Sequence, residues 1–389
     1  MNKNAWSRAM LGSSNVGVPC GGVSSLTGGD SSSSDWSRPS DWLTMPELVN
    51  GDQGFISVNS VYEHGSNFLA FTIFGGNYRV DIGDGNGPVD VNAGTQFEAN
   101  LNFDDYNSST LSTRGYRQAL IVVTPQTGQT LTSASMSKVH SAALVNHTTQ
   151  YLDIVFAGNG FTSISFNGSS PSMSLERIRF VGDCSLNTAL FMCYNCRALC
   201  RLEISDSSSI TTYQSALQGC SSMAGHPDLS MASAINISSL YYQSNGLARL
   251  AFNDLVNVTS ATSVIRSCEK VESLALNGSD SIESLQTACY GAKNLQEFIM
   301  SSAVGVTNTT NAFGLCPALG KVLLPGITVS VSVASCKMSA QALDDLFDSL
   351  GTVGVSGVPV ATITITGNWG VAGCTISKAT NKGWQVATS

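Results

Sequence analysis

The chain has 389 residues, of which only 12% are charged, and it carries 37 glycines and a net charge of -8. This length allows two or three domains with a large core, and the composition is typical of β-rich, turn-rich extracellular or virion proteins. A negative net charge argues against a nucleic-acid partner. The sequence contains no run of 18 apolar residues and therefore predicts no membrane span.

Residues 1–40 form a Gly/Ser-rich arm. The segment 1–20 contains Lys3 and Arg8 but no continuous apolar stretch, so it does not look like a secretory signal. We therefore expect a protein that reaches its destination without a signal. An arm of this composition buries little surface by itself. Two interpretations stay open: an attachment segment that orders against a partner, or a disordered tail.

Residues 41–138 change to alternating apolar and polar residues separated by Gly and Asn turns. This pattern predicts a small antiparallel β-sandwich, with a tight turn at 83–87 (G-D-G-N-G). Asp81 and Asp84 could contribute to a cation site, but carboxylates around a glycine turn more commonly stabilise the turn itself. The expected strands are 55–58, 69–74, 78–82 and 118–124.

A known family shares part of this pattern. The sequence Y-R-V-D-I-G-D-G at 78–85, followed by Tyr106 and by G-Y at 115–116, resembles a polycystic-kidney-disease-type (PKD-like) immunoglobulin-fold domain. The hallmark turn of that family reads V-D-W-G-D-G, and Ile82 stands in place of its Trp. The resemblance covers about a quarter of the chain and implies a spacer or binding module.

A 24-residue period organises residues 139–335. Every 24th residue from position 148 is small, and apolar residues follow three, six and eight positions later, as in 199–204 (L-C-R-L-E-I). A fixed period in this range predicts a solenoid, in which the small residue lets coils approach and the leucines stack into one core. The small positions are Thr148, Ser172, Cys196, Cys220, Ser244, Cys268, Ala292 and Cys316.

The repeat also resembles a known class. The phrase A-F-x-x-C-x-x-L-x-x-V-x-L at 312–324 is similar to the BspA-like leucine-rich repeats of bacterial and phage surface proteins, and the likeness extends over 148–335. It implies a surface or virion protein, and fibres of this kind are usually trimeric.

Cys193, Cys196 and Cys200 form a C-x2-C-x3-C cluster, which suggests a metal or redox site. The period favours another interpretation, because Cys196 is one of the small positions and Cys193 is in phase with Cys289. Buried free cysteine behaves as a small hydrophobe. We therefore expect reduced cysteines that serve in packing, as in a protein assembled in a cytoplasm.

One unit departs from the period. Residues 223–229 place His226 and Asp228 at apolar positions, with Pro227, which lacks a ladder donor, between them. Two interpretations stay open: a local bulge that exposes a polar site, or a slip by which Leu229 refills the core. No Ser or Cys nucleophile accompanies His226 in a recognisable arrangement, which disfavours catalysis.

The outward strand position changes from charged to apolar along the array, from Arg179 and Glu203 to Ile299 and Leu323. A solvated surface does not require adjacent Ile and Leu, so we expect the C-terminal cap or another subunit to cover this end. The candidate interaction residues are Arg177, Arg201, His226, Asp228, Arg249, Ile299 and Leu323.

Residues 336–389 are predicted to close the array. Ser339 as N-cap, apolar residues at helical spacing over 343–350 and Gly351 predict a helix. Asp344 and Asp345 are interpreted as helix electrostatics, not as an acid/base pair. Strands are expected at 361–366 and 383–386, and the segment resembles the terminal part of phage-encoded repeat proteins of this class.

The predicted fold is therefore mainly β: an antiparallel β-sandwich (PKD/Ig-like), a 24-residue-period leucine-rich-repeat solenoid and a small α/β C-terminal cap. We expect a non-enzymatic phage virion protein, most simply a tail-fibre or tail-tip component in host attachment. A head fibre or capsid decoration protein and a bacterial cell-surface adhesin are the alternatives. A glycan-active enzyme would need a carboxylate pair in an aromatic groove, which the sequence does not suggest.

The expected partners are other virion proteins, bound through the N-terminal arm, and a host surface receptor or glycan. The chain is expected to form a homo-oligomer, a trimer by resemblance, without nucleic acid or membrane insertion. Neither a cofactor nor a metal is expected, and the expected location is the virion, after assembly in the host cytoplasm.

Overall fold

The computed structural model describes residues 36–143, 150–167, 172–355 and 357–389. The predicted arm up to residue 35 and the small position Thr148 lie outside these ranges. The described chain is mainly β and contains a β-solenoid of about 10 turns. Its strands are β1 (Phe55–Val61), β2 (Phe68–Phe74), β3 (Tyr78–Asp81), β4 (Val89–Val91), β5 (Gln96–Asn100), β6 (Arg117–Pro125), β7 (Ser133–Ser135), β8 (Tyr151–Ala157), β9 (Ser163–Ser165), β10 (Arg177–Val181), β11 (Arg201–Ile204), β12 (Arg249–Phe252), β13 (Ser273–Leu276), β14 (Glu297–Met300), β15 (Lys321–Leu323), β16 (Val331–Ser332), β17 (Thr362–Thr364) and β18 (Gln385–Ala387). Its helices are α1 (Ala340–Ser349) and α2 (Ser377–Thr380), with short 3-10 turns at Phe103–Asp105 and Ser108–Thr110.

The N-terminal part consists of two facing sheets. In one, β1, β6, β3 and β4 pair antiparallel, and in the other β2 lies between β5 and β7. The rings of Phe55 in β1 and Phe71 in β2 meet edge to face with centroids 5.4 Å apart, so the core lies between the sheets. All four strands predicted before residue 125 are confirmed, within one to three residues at their ends.

Both sheets continue into the solenoid. Strand β8 pairs antiparallel with β1 on one edge and parallel with β10 on the other, which creates a seven-stranded sheet from β4 to β11. In the second sheet β7 pairs parallel with β9 in the same way. One buried cluster of apolar side chains accordingly runs from Phe55 to Trp384. The two-sheet part thus covers the first edge of the solenoid.

The 24-residue period is confirmed by the pairing of the coils. Ile178 lies opposite Leu202 in the first solenoid sheet, and Leu250, Leu274 and Phe298 follow in the same register in the second. On the opposite side of the coil, single β-bridges repeat with the same 24-residue spacing. These join Thr212, Asn236, Ser260, Ser284 and Asn308 in sequence. Stacked apolar residues thus occupy one line along the core.

The small position of each coil has a hydrogen-bonding role besides its size. Where it is Cys or Ser, the side chain commonly donates to a backbone carbonyl of the preceding coil. Burial raises the pKa of the Cys268 thiol to about 12, so this thiol stays protonated and can donate. The bonds are Cys220 to Cys193 O (3.1 Å), Ser244 to Leu217 O (2.6 Å), Cys268 to Tyr241 O (2.7 Å) and Cys316 to Cys289 O (3.0 Å).

A buried carboxylate fastens the first described residues to the sheet. Asp153 of β8 is 0% exposed and accepts from Nε and Nη2 of Arg177, at 2.9 and 2.6 Å. Arg38 Nε donates to the same carboxylate at 2.7 Å. Two guanidinium groups compensate for the desolvation of one carboxylate, as a buried charge requires. Residues 36–45 are thereby held over the outer face of β8 and β10.

The cap closes the far end. Ser339 accepts a hydrogen bond from the N–H of Ala342 at 3.2 Å, which confirms the predicted helix start, and α1 packs against β15. Asp344 lies beyond the first turn of α1 and accepts from the N–H of Thr375 at 2.6 Å. Its main hydrogen-bond partner is therefore the segment before α2, and the interaction of Asp344 and Asp345 with the helix dipole stays a prediction. Strands β17 and β18 occur where the sequence predicted strands.

Asp153 provides the first prediction. Asp153→Asn leaves Arg38 and Arg177 beside a neutral group, and we expect a loss of about 3–5 kcal/mol in the free energy of unfolding, measured in denaturant. The matched control is Asp90→Asn, which breaks the exposed Arg79–Asp90 pair (2.8 Å) and is expected to cost about 0–1 kcal/mol. Equal losses in both variants would show that the buried carboxylate does not fasten the sheet.

The coil-to-coil thiol provides the second prediction. Cys268→Ala keeps the small size but removes the donor, and we expect it to cost about 1 kcal/mol. Cys268→Ser keeps a donor at the same place and should be closer to wild type. Denaturation curves of the three proteins decide the matter, and equal stability of the Ala and Ser variants would mean that only the size of residue 268 is important.

Candidate binding groove

The strand expected at 225–228 is missing from the solenoid. One sheet ends at β11 and the next begins at β12, and these strands are separated in the chain by two repeat periods instead of one. On the opposite side of the coil, Thr212 still bridges Asn236 and Asn236 still bridges Ser260. The break is therefore local: on one side of an otherwise continuous stack, no described residue fills one strand position.

This strand position is an open groove of about 1070 Å³. Strand β11 forms one wall, Ala251 of β12 forms the other with Asn253 and Asp254, and residues between 223 and 231 line the space between them. Leu229 is buried in the core, as the interpretation of a slip requires, while Asp228 is exposed. Both interpretations of this unit therefore apply: polar residues bulge out of the strand, and Leu229 refills the core.

Pro227 provides the physical reason for the break. It occupies the position at which Glu203 and Ala251 stand in the neighbouring coils, where the backbone N–H points to the preceding strand. Proline has no N–H, so a strand here could not donate to the carbonyl of Leu202. Residues 225–228 make no backbone hydrogen bond to any described residue.

His226 lies at the inner side of the groove. Its Nδ1 is hydrogen-bonded to the hydroxyl of Tyr241, and its ring meets Phe252 edge to face at 5.0 Å. Burial lowers the pKa of His226 to about 4, and the neighbouring Asp228 opposes this shift only in part. Burial also raises the pKa of Tyr241. Both groups are therefore neutral at pH 7, and the phenol donates to the unprotonated nitrogen.

The groove has an acidic lining. Arg201 and Glu203 on the β11 wall form an ion pair with each other. Asp206, Asp228 and Asp254 also line the groove, and none of the three forms an ion pair with a described residue. Within the described part of the chain, the groove thus presents three carboxylates without an ion-pair partner, and cationic or amide groups are the chemistry that it accepts most readily.

The structure brings Arg201, His226 and Asp228 together in the groove and places the other candidate residues elsewhere. Arg177 is bound to buried Asp153. Arg249 begins the opposite strand with an exposed side chain, and its Nε lies 3.8 Å from Glu272.

Ile299 and Leu323 are neighbours across β14 and β15. Both are partly exposed, although α1 packs against β15. Ile299 lines a shallow depression of about 240 Å³ with Ala251 and Ala275.

The suspected cation residues stabilise a turn, and the residues of the cysteine cluster differ from one another in their state. Asp81 accepts from the N–H of Gly83 at 2.8 Å and Asp84 from that of Asn86 at 3.0 Å, which is turn geometry. Cys193 and Cys196 are free, fully buried thiols. Cys200 lines the groove and is disulfide-bonded, so the expectation that all three cysteines of this cluster are reduced is wrong for Cys200.

Sequence reasoning missed three functional features. The ion pairs of Asp153 could not be predicted, because its partners Arg38 and Arg177 come from distant parts of the chain. The pairing of His226 with Tyr241 joins two adjacent coils, and the in-phase positions carry no other His–Tyr pair. Asp206 and Asp254 stand in loops that follow β11 and β12, where acidic residues are common, and only the absence of the strand at 225–228 makes them neighbours of Asp228.

The fold and the groove together define a β-solenoid protein with a two-sheet N-terminal part and an interrupted sheet. No protein-family model matches the chain, and no curated protein and no solved structure is significantly similar to it. Within the described ranges, neither helix has the length and apolar character that a bilayer crossing requires.

The low pKa of His226 makes the stability of the fold pH-dependent. The folded pKa of about 4 lies below the ordinary value of 6.5, so the unfolded chain binds a proton first as the pH falls. We expect the His226 contribution to be complete above pH 6.5 and to be lost progressively between pH 6.5 and 4. In His226→Gln the free energy of unfolding should fall less steeply over this range.

The matched control is His64→Gln, at an exposed position in the N-terminal part. It should retain the wild-type slope, because this substitution leaves the buried imidazole of His226 in place. Denaturant unfolding at several pH values measures the slope, and identical slopes for wild type and His226→Gln would contradict the burial of the imidazole.

Proposed function

We propose that the chain is a non-enzymatic structural protein of a phage virion, most simply a tail-fibre or tail-tip component in host attachment. The observation that carries the proposal is the continuity of the two sheets and of the core from the two-sheet part to the cap. About 10 coils at ~4.8 Å each make a stiff body of roughly 48 Å. A body of this kind suits a spacer that holds a binding surface away from a particle.

We also propose the finer fold assignments. The repeated strand, the small donor position and the 24-residue register favour a BspA-like leucine-rich repeat for the solenoid. The facing antiparallel sheets and the turn at Asp81 and Asp84 favour a PKD-like domain for the first part, with Ile82 as a departure from that family. Both are modules of surface and virion proteins.

Recognition is assigned to two surfaces of the solenoid. One is the acidic groove at Arg201, His226 and Asp228, and the other is the partly exposed apolar strip at Ile299 and Leu323. The partner at the second surface is a further copy of the chain or a host receptor or glycan. The N-terminal arm is assigned to other virion proteins. A rigid, pre-organised surface limits the entropy that binding loses, and several copies raise the affinity through multivalency.

The location of the chain tests this function. Phage particles from the strain that carries the gene are purified by density gradient, analysed by mass spectrometry and labelled with an antibody fragment for cryo-EM. We expect a stoichiometric virion protein with label on the tail. Label on the head would favour a head fibre or a decoration protein, and recovery from bacterial surface fractions alone would replace the proposal with an adhesin.

Competition tests the attachment role separately. The purified full-length chain, added before the phage, should lower adsorption to host cells in a saturable manner. Ile299→Glu with Leu323→Glu tests the apolar strip, and Val304→Glu, at an exposed residue in a turn, is the matched control. No competition at saturating concentration would limit the chain to a structural role in the particle.

A further inference from the structure

We propose that Arg266, held between the rings of Tyr242 and Tyr290, binds a carboxylate-bearing sugar of a surface glycan. The three residues occupy the same place in the turn segments of successive coils, and none of them lines the groove. The inference deepens the proposed role in attachment, and it rests on that role for the choice of a surface glycan as the partner.

A line of planar side chains runs along this side of the solenoid. Positions 24 residues apart carry in turn Tyr, Gln, Tyr, Arg and Tyr, and a Gly ends the line. Because the coils stack with the same spacing, these positions recur one above another, about 4.8 Å apart. The members of the line are Tyr194, Gln218, Tyr242, Arg266, Tyr290 and Gly314.

Two aromatic rings hold the guanidinium of Arg266. Its Cζ lies 5.4 Å from the ring centroid of Tyr242 and 5.4 Å from that of Tyr290. A guanidinium within about 6 Å of an aromatic face is attracted by the quadrupole of the ring. The ring of Tyr290 also lies against Gly314, where an added Cβ would come within 2.8 Å of Tyr290 Cδ2. The cation is therefore positioned before a ligand arrives.

The described residues leave the charge of Arg266 without a counter-ion. Arg266 forms no ion pair with any of them, and its buried Nε has no hydrogen-bond partner among them. Glu269, the acidic residue nearest in sequence, is bound to Lys293 at 2.6 Å. The donors of a planar guanidinium match the two oxygens of a carboxylate. The geometry therefore favours an anionic ligand that carries a carboxylate.

The surroundings of Arg266 favour a sugar over an acidic peptide. Backbone groups are used between the coils, since the N–H of Gln243 donates to Arg266 O at 3.0 Å and that of Ser267 to Tyr290 O at 2.8 Å. An extended peptide therefore finds no strand edge to join at these residues. The phenols of Tyr242 and Tyr290 belong to partly exposed side chains and both donate and accept hydrogen bonds, as the hydroxyl groups of a sugar require.

The period of the solenoid suits an extended polysaccharide. One coil advances by about 4.8 Å, and one pyranose ring in an extended glycan advances its chain by a similar length. Hydroxyl side chains also recur three residues before the two tyrosines, at the partly exposed Ser239 and Thr287. A glycan that lies along the solenoid axis therefore places successive sugars on successive coils, with one carboxylate at Arg266.

Titration calorimetry of the full-length chain tests the ligand class. The acidic probes are trigalacturonate, a glucuronate-containing hyaluronan tetrasaccharide and sialyllactose. We expect at least one of them to bind, and its methyl ester, which keeps the sugar and removes the charge, to bind about tenfold or more weakly. The proposal is overturned if none of the three binds at millimolar concentration, or if the ester binds as well as the acid.

Variants assign the binding to Arg266. Arg266→Gln keeps a planar group between the rings but removes the charge, so the affinity should fall about tenfold or more. Arg266→Lys keeps the charge without the planar fork and should lie between this variant and wild type. Arg197→Gln, at an exposed arginine of an earlier coil, is the matched control and should bind as wild type does. Equal affinity of Arg266→Gln and wild type would refute the assignment.

Chemical modification examines the same site without a variant. Phenylglyoxal condenses with accessible guanidinium groups, and peptide mass spectrometry measures the modified fraction of each arginine. The bound sugar should protect Arg266 in wild-type protein, while Arg197 in the same sample stays reactive. An unchanged rate at Arg266, or equal protection of both arginines, would count against the site.

Other ligand classes are outcomes of the same titration. Tighter binding of hexaglutamate than of every acidic sugar would replace the glycan with an acidic peptide. Binding of inorganic phosphate without any of the sugars would leave only a simple anion site. Both results overturn the proposal. Binding by the purified chain is independent of its location, so a failure at Arg266 leaves the virion assignment standing, and a location outside the virion leaves the sugar site standing.

Discussion

The parallel backbone ladder between successive coils is the constraint on which the rest of this structure depends. Each coil must return to the same place after a rise of about 4.8 Å, so the number of residues per coil is fixed and each position recurs in one line. The stacked core from Ile178 to Leu250 and beyond, the Cys and Ser donors and the single bridges on the opposite side all follow from this repetition. A residue that cannot donate, such as Pro227, consequently removes a whole strand.

The ladder also requires protection at its ends, where backbone groups would otherwise be open to association. Strand β1 covers β8 at the first end and α1 packs on β15 at the last. The groove therefore differs from both ends, since no described residue pairs with the two strand edges that face it in the middle of the stack. The buried Asp153, which holds residues 36–45 over β8 and β10, places the start of the described chain close to those edges.

Local patterns predicted much of the fold. Alternation identified β1, β2, β3 and β6, Ser339 and the apolar spacing identified α1, and the 24-residue period identified the coils. The sharing of β8 between the two parts was not predictable, because the antiparallel partner of a strand is not encoded in its own residues. For the same reason the sequence marked His226, Pro227 and Asp228 as irregular but did not reveal Tyr241 or the aspartates around them. These residues meet only after the coils have stacked.

Strands β12 to β15 pair in one uniform register, and this register determines how the length of the solenoid can change. Each of these coils presents the same pairing groups to its neighbours, so one unit can be gained or lost without altering either terminal structure. The only change is in length, by about 4.8 Å for each repeat unit. An insertion of any other length would shift apolar side chains out of the core line. Duplication and deletion of whole units is therefore a simple route by which relatives with bodies of graded length could arise.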